Sequence, residues 1–167
     1  MAIPKRHQSL PGTYFVTSKT WQSHSLFHTT RACEVFVDSL IHYRERRDYK
    51  LHSFVLMPDH FHLLLTPSDE ITVERAIQFV KGGSAKLLGD EMHLQFPVWQ
   101  RGFTDHRIRD AADYAQHVRY VELNPVKRKL ADAPEQYPWS SASGKYQMDH
   151  APQRLKPHPE RDVLRHG

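Results

Sequence analysis

The hydrophobic and polar positions along the chain follow two periods, one typical of strands and the other of helices. Four segments carry the alternation or the short apolar runs of β-strands: residues 13–18, 51–57, 60–65 and 98–108. The second and third are joined only by Pro58-Asp59, a polar break that favours a tight antiparallel hairpin. The fourth is expected to break at Gly102, because glycine weakens a strand.

Three other segments repeat their apolar residues at helical spacing: residues 30–47, a segment beginning at Val73, and a segment from residue 109 or 110 to Pro125. Thr72 is predicted to cap the second helix through its hydroxyl. Two interpretations of Gly82-Gly83 remain open. The pair either ends or loosens this helix, or it lets the backbone approach a phosphate between Lys81 and Lys86.

The order of these elements predicts an α+β fold. Strand, helix, strand, strand, helix and strand in succession fit a ferredoxin-like antiparallel sheet with helices packed on one face. At 167 residues the chain suits one domain, large enough to bury a core without disulfides. We expect this single domain to span residues 1–146, and residues 147–167 to form a flexible C-terminal tail.

Composition limits the cellular compartment and the kinds of binding partner that we expect. The formal charge of +4 and the pI near 9.2 favour a polyanionic partner, although many basic proteins bind no nucleic acid. Cys33 is the only cysteine, which excludes an intramolecular disulfide and agrees with a reducing compartment. The N-terminus lacks an apolar signal core, and no stretch approaches the roughly 20 apolar residues of a membrane span. We therefore expect a cytoplasmic protein without a membrane partner.

Two histidines in the second strand of the hairpin are the first candidates for chemistry. Successive side chains of a strand point to opposite faces, so His60 and His62 share one face while Phe61 points to the other. Two adjacent imidazoles suit a divalent metal ion. A structural pair of histidines is the alternative.

A tyrosine and an asparagine in the third helix are the second pair of candidates. Residues four apart share a helix face, so Tyr120 presents its hydroxyl beside the amide of Asn124, on the polar stripe that also holds Asp113 and His117. The apolar stripe is Ala111, Tyr114, Ala115, Val118 and Val121. Pro125 places Asn124 at a helix end, where capping is the structural alternative. Two imidazoles, an amide oxygen and a phenol together suit a metal-assisted attack by tyrosine on phosphate.

Four blocks of sequence, in this order, closely resemble the single-tyrosine HUH transposases. The blocks are Met57-Pro58-Asp59-His60-Phe61-His62-Leu63-Leu64-Leu65, Val98-Trp99-Gln100-Arg101-Gly102-Phe103-Thr104-Asp105-His106-Arg107-Ile108-Arg109, Tyr120-Val121-Glu122-Leu123-Asn124-Pro125-Val126 and Tyr137-Pro138-Trp139-Ser140-Ser141-Ala142. Their order and the last block resemble the REP-associated tyrosine transposase branch in particular. The resemblance spans roughly residues 10–146, nearly the whole chain.

The resemblance implies an HUH-type ferredoxin-like fold and an endonuclease that also rejoins DNA. Tyr120 would form a covalent 5′-phosphotyrosine with single-stranded DNA and release a 3′-hydroxyl. His60, His62 and the carbonyl oxygen of Asn124 would bind Mg²⁺ or Mn²⁺ and leave coordination positions open. Phenols titrate near pH ~10, so the attack needs the metal or a base. His117, one turn before the tyrosine, is a candidate base.

The implied substrate is single-stranded DNA folded into a REP-type hairpin with a short flanking sequence. Candidate phosphate contacts are Arg101, Arg107, Arg109, Arg119, Lys127, Arg128 and Lys129. His106 resembles a site-proximal residue of the family, with hydrogen bonding in the core as the other role. Related insertion-sequence enzymes work as dimers that place a tyrosine helix on the partner's site, whereas we favour a monomer.

Three other functions remain open on the sequence alone. A metal-dependent phosphodiester hydrolase would use His60 and His62 to activate water, without a covalent intermediate, and Tyr120 would be structural. A domesticated, sequence-specific DNA-binding protein would keep the fold without the chemistry, which the intact set of site residues disfavours. An RNA- or single-strand-binding module would expose aromatic residues on its sheet, where this chain has histidines.

Overall fold

The computed structural model describes residues 9–153 and residue 155. The sheet has four antiparallel strands in the order β2-β3-β1-β4: β1 (Tyr14–Lys19), β2 (Tyr49–Met57), β3 (His60–Pro67) and β4 (Thr104–Arg107). The helices are α1 (Thr30–Glu45) between β1 and β2, α2 (Val73–Met92) between β3 and β4, and α3 (Ala111–Lys127) after β4. The predicted α+β fold with a ferredoxin-like antiparallel sheet is therefore confirmed.

Each helix begins where the sequence supplies a capping side chain. The side chains of Thr29, Thr72 and Asp110 accept hydrogen bonds from backbone N–H groups three residues later, at 3.2, 3.2 and 2.8 Å. These bonds satisfy donors that the first helical turn leaves without partners. The predicted cap at Thr72 is confirmed.

The three helices divide between the two faces of the sheet. Helices α1 and α2 cover the face that carries Phe61, Leu63 and Leu65, and together they form the main core. Helix α3 lies on the opposite face, where Asn124 meets His62. The expectation of helices on one face therefore holds for α1 and α2 and is wrong for α3.

Helix α3 buries residues from both of its stripes, Asp113 and Asn124 from the polar one and Val121 from the apolar one. Asp113 and Asn124 are each 5% exposed, whereas Ala111 and Ala115 are exposed. The sheet face beneath the helix presents histidines and a threonine, so polar side chains of α3 find hydrogen-bond partners there, as Asn124 does at His62. The helix thereby brings its functional side chains against the sheet.

Strand β4 is shorter than the predicted segment. Its ladder begins at Thr104, after Gly102 turns the chain at φ +77°, while Trp99 makes only an isolated bridge to Thr20. The ammonium group of Lys81 donates to the carbonyl oxygens of Gln100 and Gly102 at 2.7 and 2.6 Å. Lys81 thus holds the loop before β4 against α2.

The expectation that Gly82-Gly83 ends or loosens α2 is wrong. The helix continues to Met92. A Cβ on Gly83 would lie 2.5 Å from the hydroxyl oxygen of Tyr43, whereas a Cβ on Gly82 would meet nothing within 4 Å. Gly83 is therefore needed for the close packing of α1 against α2.

The expectation that α3 stops at Pro125 is also wrong. The proline lies inside the helix, which runs to Lys127. Only one further turn follows, and the backbone N–H groups of Arg128 and Lys129 close it on the carbonyl oxygens of Asn124 and Val126. The missing proline N–H therefore removes a single bond near the helix end.

Part of the predicted tail is attached to the sheet. The backbone of Asp149 pairs with Leu51 of β2, and its carboxylate accepts two hydrogen bonds from the guanidinium of Arg44 at 2.9 and 3.0 Å. Residues 154 and 156–167 lie outside the described residues. The domain boundary at residue 146 stays a prediction.

Among the residues that the structure describes, no helix is both long enough and apolar enough to cross a bilayer.

Candidate active site

His60 and His62 lie side by side on the sheet face that α3 covers. Their ring centroids are 4.8 Å apart with 77° between the planes, and the residues are 7% and 5% exposed. Phe61, between them, points into the main core on the other face. The strand period therefore brings the two imidazoles together as the sequence predicts.

Each imidazole is held at Nδ1 by an oxygen atom. His60 Nδ1–H donates to Asp59 Oδ1 at 2.6 Å, and His62 Nδ1 shares a hydrogen bond of 2.7 Å with Thr17 Oγ1 on the adjacent strand β1. Such partners fix the ring orientation and leave Nε2 to bind a cation. Sequence reasoning missed both of these oxygen partners; the only signal was that Asp59 directly precedes His60.

The charge state of His62 suits a metal ligand. Burial, together with the charges of His60 and Arg128, lowers the pKa of His62 to about 3. The ring is therefore neutral at physiological pH. A neutral imidazole is the form that donates a lone pair to a cation.

Asn124 brings its buried side-chain amide to the same site. Its Nδ2–H donates to His62 Nε2 at 3.3 Å, so the side chain faces the histidine rather than capping α3. Within the described residues its Oδ1 accepts no hydrogen bond. Such an orphaned oxygen costs about 1–3 kcal/mol, which a bound cation would relieve. A 180° rotation of the amide would exchange Nδ2 and Oδ1 and turn the oxygen toward His62 Nε2, so that both atoms could bind one cation.

Tyr120 stands at the edge of this site. Its ring lies 5.3 Å from the imidazole of His62, centroid to centroid, and 5.8 Å from the ring of Phe15. The residue is 41% exposed, with Lys127 Nζ 5.6 Å from the ring centroid. A substrate phosphate can therefore reach the phenol from solvent while the imidazoles remain buried.

His106 and His117 form a second cluster, around Asp113. His106 Nε2–H donates to Asp113 Oδ2 at 2.8 Å, and His117 Nδ1–H donates to the Asp113 main-chain oxygen at 2.8 Å. The three side chains bring ligand atoms of the kinds that bind metals within 4.8 Å of one another. The ring of Phe15 lies between this cluster and the first site, 4.8 Å from His117 and 5.3 Å from His62. The two clusters are therefore separate.

Four of the seven basic residues predicted to contact DNA lie in two regions. Lys127 and Arg128 lie at the C-terminal end of α3, next to the tyrosine. Arg107 and Arg109 line a cleft of about 980 Å³ beside the first turn of that helix. The remaining three are exposed: Arg101, Arg119 and Lys129.

The sequence profile described as Transposase IS200 like matches residues 14–124, from the first residue of β1 to the proposed amide ligand. The chain therefore belongs to the IS200-like transposase family of DNA-processing enzymes. His60, His62, Tyr120 and Asn124 all lie inside the matched segment.

Individual relatives point to one branch of that family. The chain is 26% identical over 157 residues to the REP-associated tyrosine transposase of Escherichia coli (strain K12), with 90% of this chain and 92% of that protein covered. It is also similar to the solved structure of a REP-associated tyrosine transposase bound to a REP hairpin. That match has a TM-score of 0.66 and 25% identity, and covers 91% of this chain and 92% of the other. The resemblance seen in the sequence is confirmed.

Proposed function

We propose that the protein cleaves and rejoins single-stranded DNA at REP-type hairpins through a covalent 5′-phosphotyrosine on Tyr120. The observation that carries the proposal is the convergence of Tyr120 with His62 and Asn124 in one chain. An exposed phenol next to two buried imidazoles, of which that of His62 is neutral, provides a nucleophile beside a place where a phosphate can be bound. Membership of the transposase family supports the same chemistry.

His60, His62 and Asn124 are the residues that we propose to hold Mg²⁺ or Mn²⁺. The Nε2 atoms, of which that of His62 is paired only with the Asn124 amide, and the orphaned Asn124 Oδ1 fit such an ion, and three ligands leave positions for phosphate oxygens. When bound, the cation neutralises phosphate charge and orients the scissile group. Imidazoles also bind Zn²⁺ and Ni²⁺, and more tightly, so purified protein should be stripped of metal before assay.

In the proposed reaction the phenolic oxygen of Tyr120 attacks the phosphorus. The tyrosine O–P bond forms, the bond from phosphorus to the 3′-oxygen breaks, and the 3′-oxygen leaves as a hydroxyl after taking a proton. His117 is our candidate for accepting the phenolic proton, because its Nδ1 is engaged by Asp113 and its Nε2 is left to do so. Reversal by the 3′-hydroxyl of another strand rejoins DNA without ATP.

The substrate class comes from the relative that is bound to a REP hairpin, to which this chain is similar over 91% of its length. Lys127, Arg128 and Lys129 lie at and beyond the end of the helix that carries Tyr120, so a strand reaching the phenol would pass them. Arg101, Arg107, Arg109 and Arg119 are our further candidates for backbone contacts.

We propose that one chain provides a complete site. Tyr120 and His62 of the same molecule are in contact, so no partner helix is needed to supply the nucleophile. This supports a monomer over a dimer.

The alternative functions fit the contacts less well. In a hydrolase with a structural tyrosine, Tyr120 would have no reason to stand 41% exposed beside His62. In a single-strand-binding module the sheet face would be open for bases to stack, whereas α3 covers it here.

The experiment uses metal-stripped protein, labelled single-stranded hairpin DNA from repeats flanking its own gene, and Mg²⁺ or Mn²⁺. A metal-dependent, protein-linked band on a denaturing gel is expected from wild type and from Tyr114→Phe, and not from Tyr120→Phe. Tyr114 is a suitable control because it is a half-buried tyrosine of the same helix. Cleavage by Tyr120→Phe without a linked band would favour hydrolysis, and binding without cleavage by wild type would favour a domesticated DNA-binding protein.

A further inference from the structure

Asp113 is a buried carboxylate that the proposed reaction does not use. Its side chain is 3% exposed, in the first turn of α3. Oδ2 accepts hydrogen bonds from the backbone N–H of Arg109 at 2.9 Å and from His106 at 2.8 Å, and Oδ1 lies 3.2 Å from His117 Nδ1. A carboxylate is buried in this way only when several donors compensate the loss of water.

These donors come from different elements. His106 belongs to the edge strand β4, Arg109 to the connection that follows it, and His117 to the second turn of α3. The rings of His106 and His117 stack at 4.8 Å with 20° between their planes. Asp113 therefore ties the start of the tyrosine helix to the sheet at a single point.

Contacts between aromatic rings connect the Asp113 cluster to the proposed active site. The ring of His117 packs 4.8 Å from that of Phe15, which stacks on His62 at 5.3 Å and meets Tyr120 edge-on at 5.8 Å. Asp113 lies two turns before Tyr120, about 10 Å along one helix axis. Any shift of the helix at Asp113 would therefore move the phenol relative to the imidazoles.

A transition metal held by the same cluster would explain the residue types. The carboxylate, however, already accepts from a backbone amide and from His106, and His117 Nδ1 also donates to a main-chain oxygen. Its partners are complete without a cation. The hydrogen bonds alone therefore explain the cluster, as a link between the start of α3 and strand β4.

We infer that Asp113 is a positioning residue of the transposase reaction: by holding His106 and His117 it fixes the helix that carries Tyr120 and Asn124 over the histidines of β3. The inference rests on the proposed function for its catalytic readout. The same helix carries the proposed metal ligand Asn124. The inference therefore also predicts a change in metal affinity, which can be measured without DNA.

The experiment compares Asp113→Asn with Asp105→Asn, which changes an exposed aspartate of β4 in the same way. Three quantities are measured on folded protein: the single-turnover rate of adduct formation at saturating hairpin DNA, the Kd for that DNA, and the Kd for Mn²⁺ alone. Asp113→Asn is expected to lower the rate about 10–100-fold, as an ångström-scale misplacement does. Mn²⁺ binding should weaken. The Kd for DNA should change less than the rate, because the Asp113 side chain is 3% exposed and would meet DNA only through its partner Arg109, whose Nε lies 3.4 Å from Oδ2.

His106→Gln provides a second variant if Asp113→Asn does not fold, since His106 is partly exposed. It should give a smaller change in the same direction. A merely structural role would lower the melting temperature but leave the rate per folded molecule equal to that of Asp105→Asn, and that result would overturn the inference. If wild type forms no adduct at all, the proposed function fails, and the Mn²⁺ affinities alone decide the role of Asp113.

Discussion

The ring of Tyr120 in α3 stands edge-on to the imidazole of His62 in β3, with 5.3 Å between centroids and 73° between planes. The contact joins the two motifs that the sequence singles out, one on a strand and one on a helix. It is reinforced by the hydrogen bond from Asn124 to the same imidazole. His62 is thus the residue through which the proposed nucleophile and the proposed metal ligands meet.

Thr17→Val should weaken metal binding although it changes none of the proposed metal ligands. The change removes the hydroxyl that holds His62 Nδ1 at 2.7 Å. We expect the affinity for Mn²⁺ to fall about 10–100-fold, the usual effect of losing such a partner. Electron paramagnetic resonance of free Mn²⁺ in a titration measures it. Thr104→Val is the control, because Thr104 pairs with Thr17 across the sheet and is exposed. Equal affinities in the two variants would contradict the role of Thr17.

Asn124→Leu should abolish the metal site while changing the stability of the metal-free protein only slightly. Leucine has a similar branched shape and removes the orphaned Oδ1, but it also removes the amide N–H that donates to His62 Nε2 at 3.3 Å, so two effects of similar size oppose each other. We expect the free energy of unfolding to change by less than about 1 kcal/mol, equivalent to less than about 2–4 °C in melting temperature. Calorimetry with and without Mn²⁺ tests both parts. Stabilisation of the variant by Mn²⁺ equal to that of wild type would contradict the role of Asn124 as a metal ligand.

His52 should make the fold less stable in mild acid. Burial lowers the pKa of His52, whose ring is hydrogen-bonded to Thr66. The unfolded chain therefore takes up the proton first, near pH ~6.5. The contribution of His52 is complete above that pH and is lost below it, at up to about 1.4 kcal/mol per pH unit. Denaturant unfolding of His52→Gln should show a shallower decline between about pH 6.5 and 5. Parallel declines in wild type and variant would refute this.

The two adjacent glycines of α2 should respond in opposite ways to alanine. Gly82→Ala should raise the free energy of unfolding by about 0.5–1 kcal/mol, because its Cβ meets nothing and helix propensity improves. Gly83→Ala should lower it, because its Cβ would collide with Tyr43. The ring of Tyr43 is stacked on Phe79 at 5.4 Å and cannot yield freely. Chemical denaturation of the pair measures both, and equal stabilisation would mean that Tyr43 moves aside.

The sequence predicts the elements whose signals are local. The alternation around Phe61 places His60 and His62 on one face, and the spacing of Tyr120 and Asn124 places both against that face. Both placements follow from the periods of the strand and the helix, which tertiary contacts do not alter.

What the sequence does not predict depends on contacts between distant segments. Gly83 continues a helix because it faces Tyr43 of another helix. Thr17 acquires its role only when β1 pairs with β3 beside His62, and Asp113 only when α3 packs beside His106 of β4. The burial of Asp113 and Asn124 on the polar side of α3 likewise depends on which sheet face the helix covers, which the helical period alone does not specify.

The most direct test of the central claim identifies the amino acid that is joined to DNA. Wild-type protein is allowed to react with hairpin DNA and Mg²⁺, the adduct is digested with nuclease and trypsin, and the modified peptide is sequenced by mass spectrometry. Trypsin releases residues 120–127 as one peptide with the tyrosine at its start. We predict a 5′-nucleotide phosphate on Tyr120. A phosphate on another residue, or cut DNA with no modified peptide, would contradict the account.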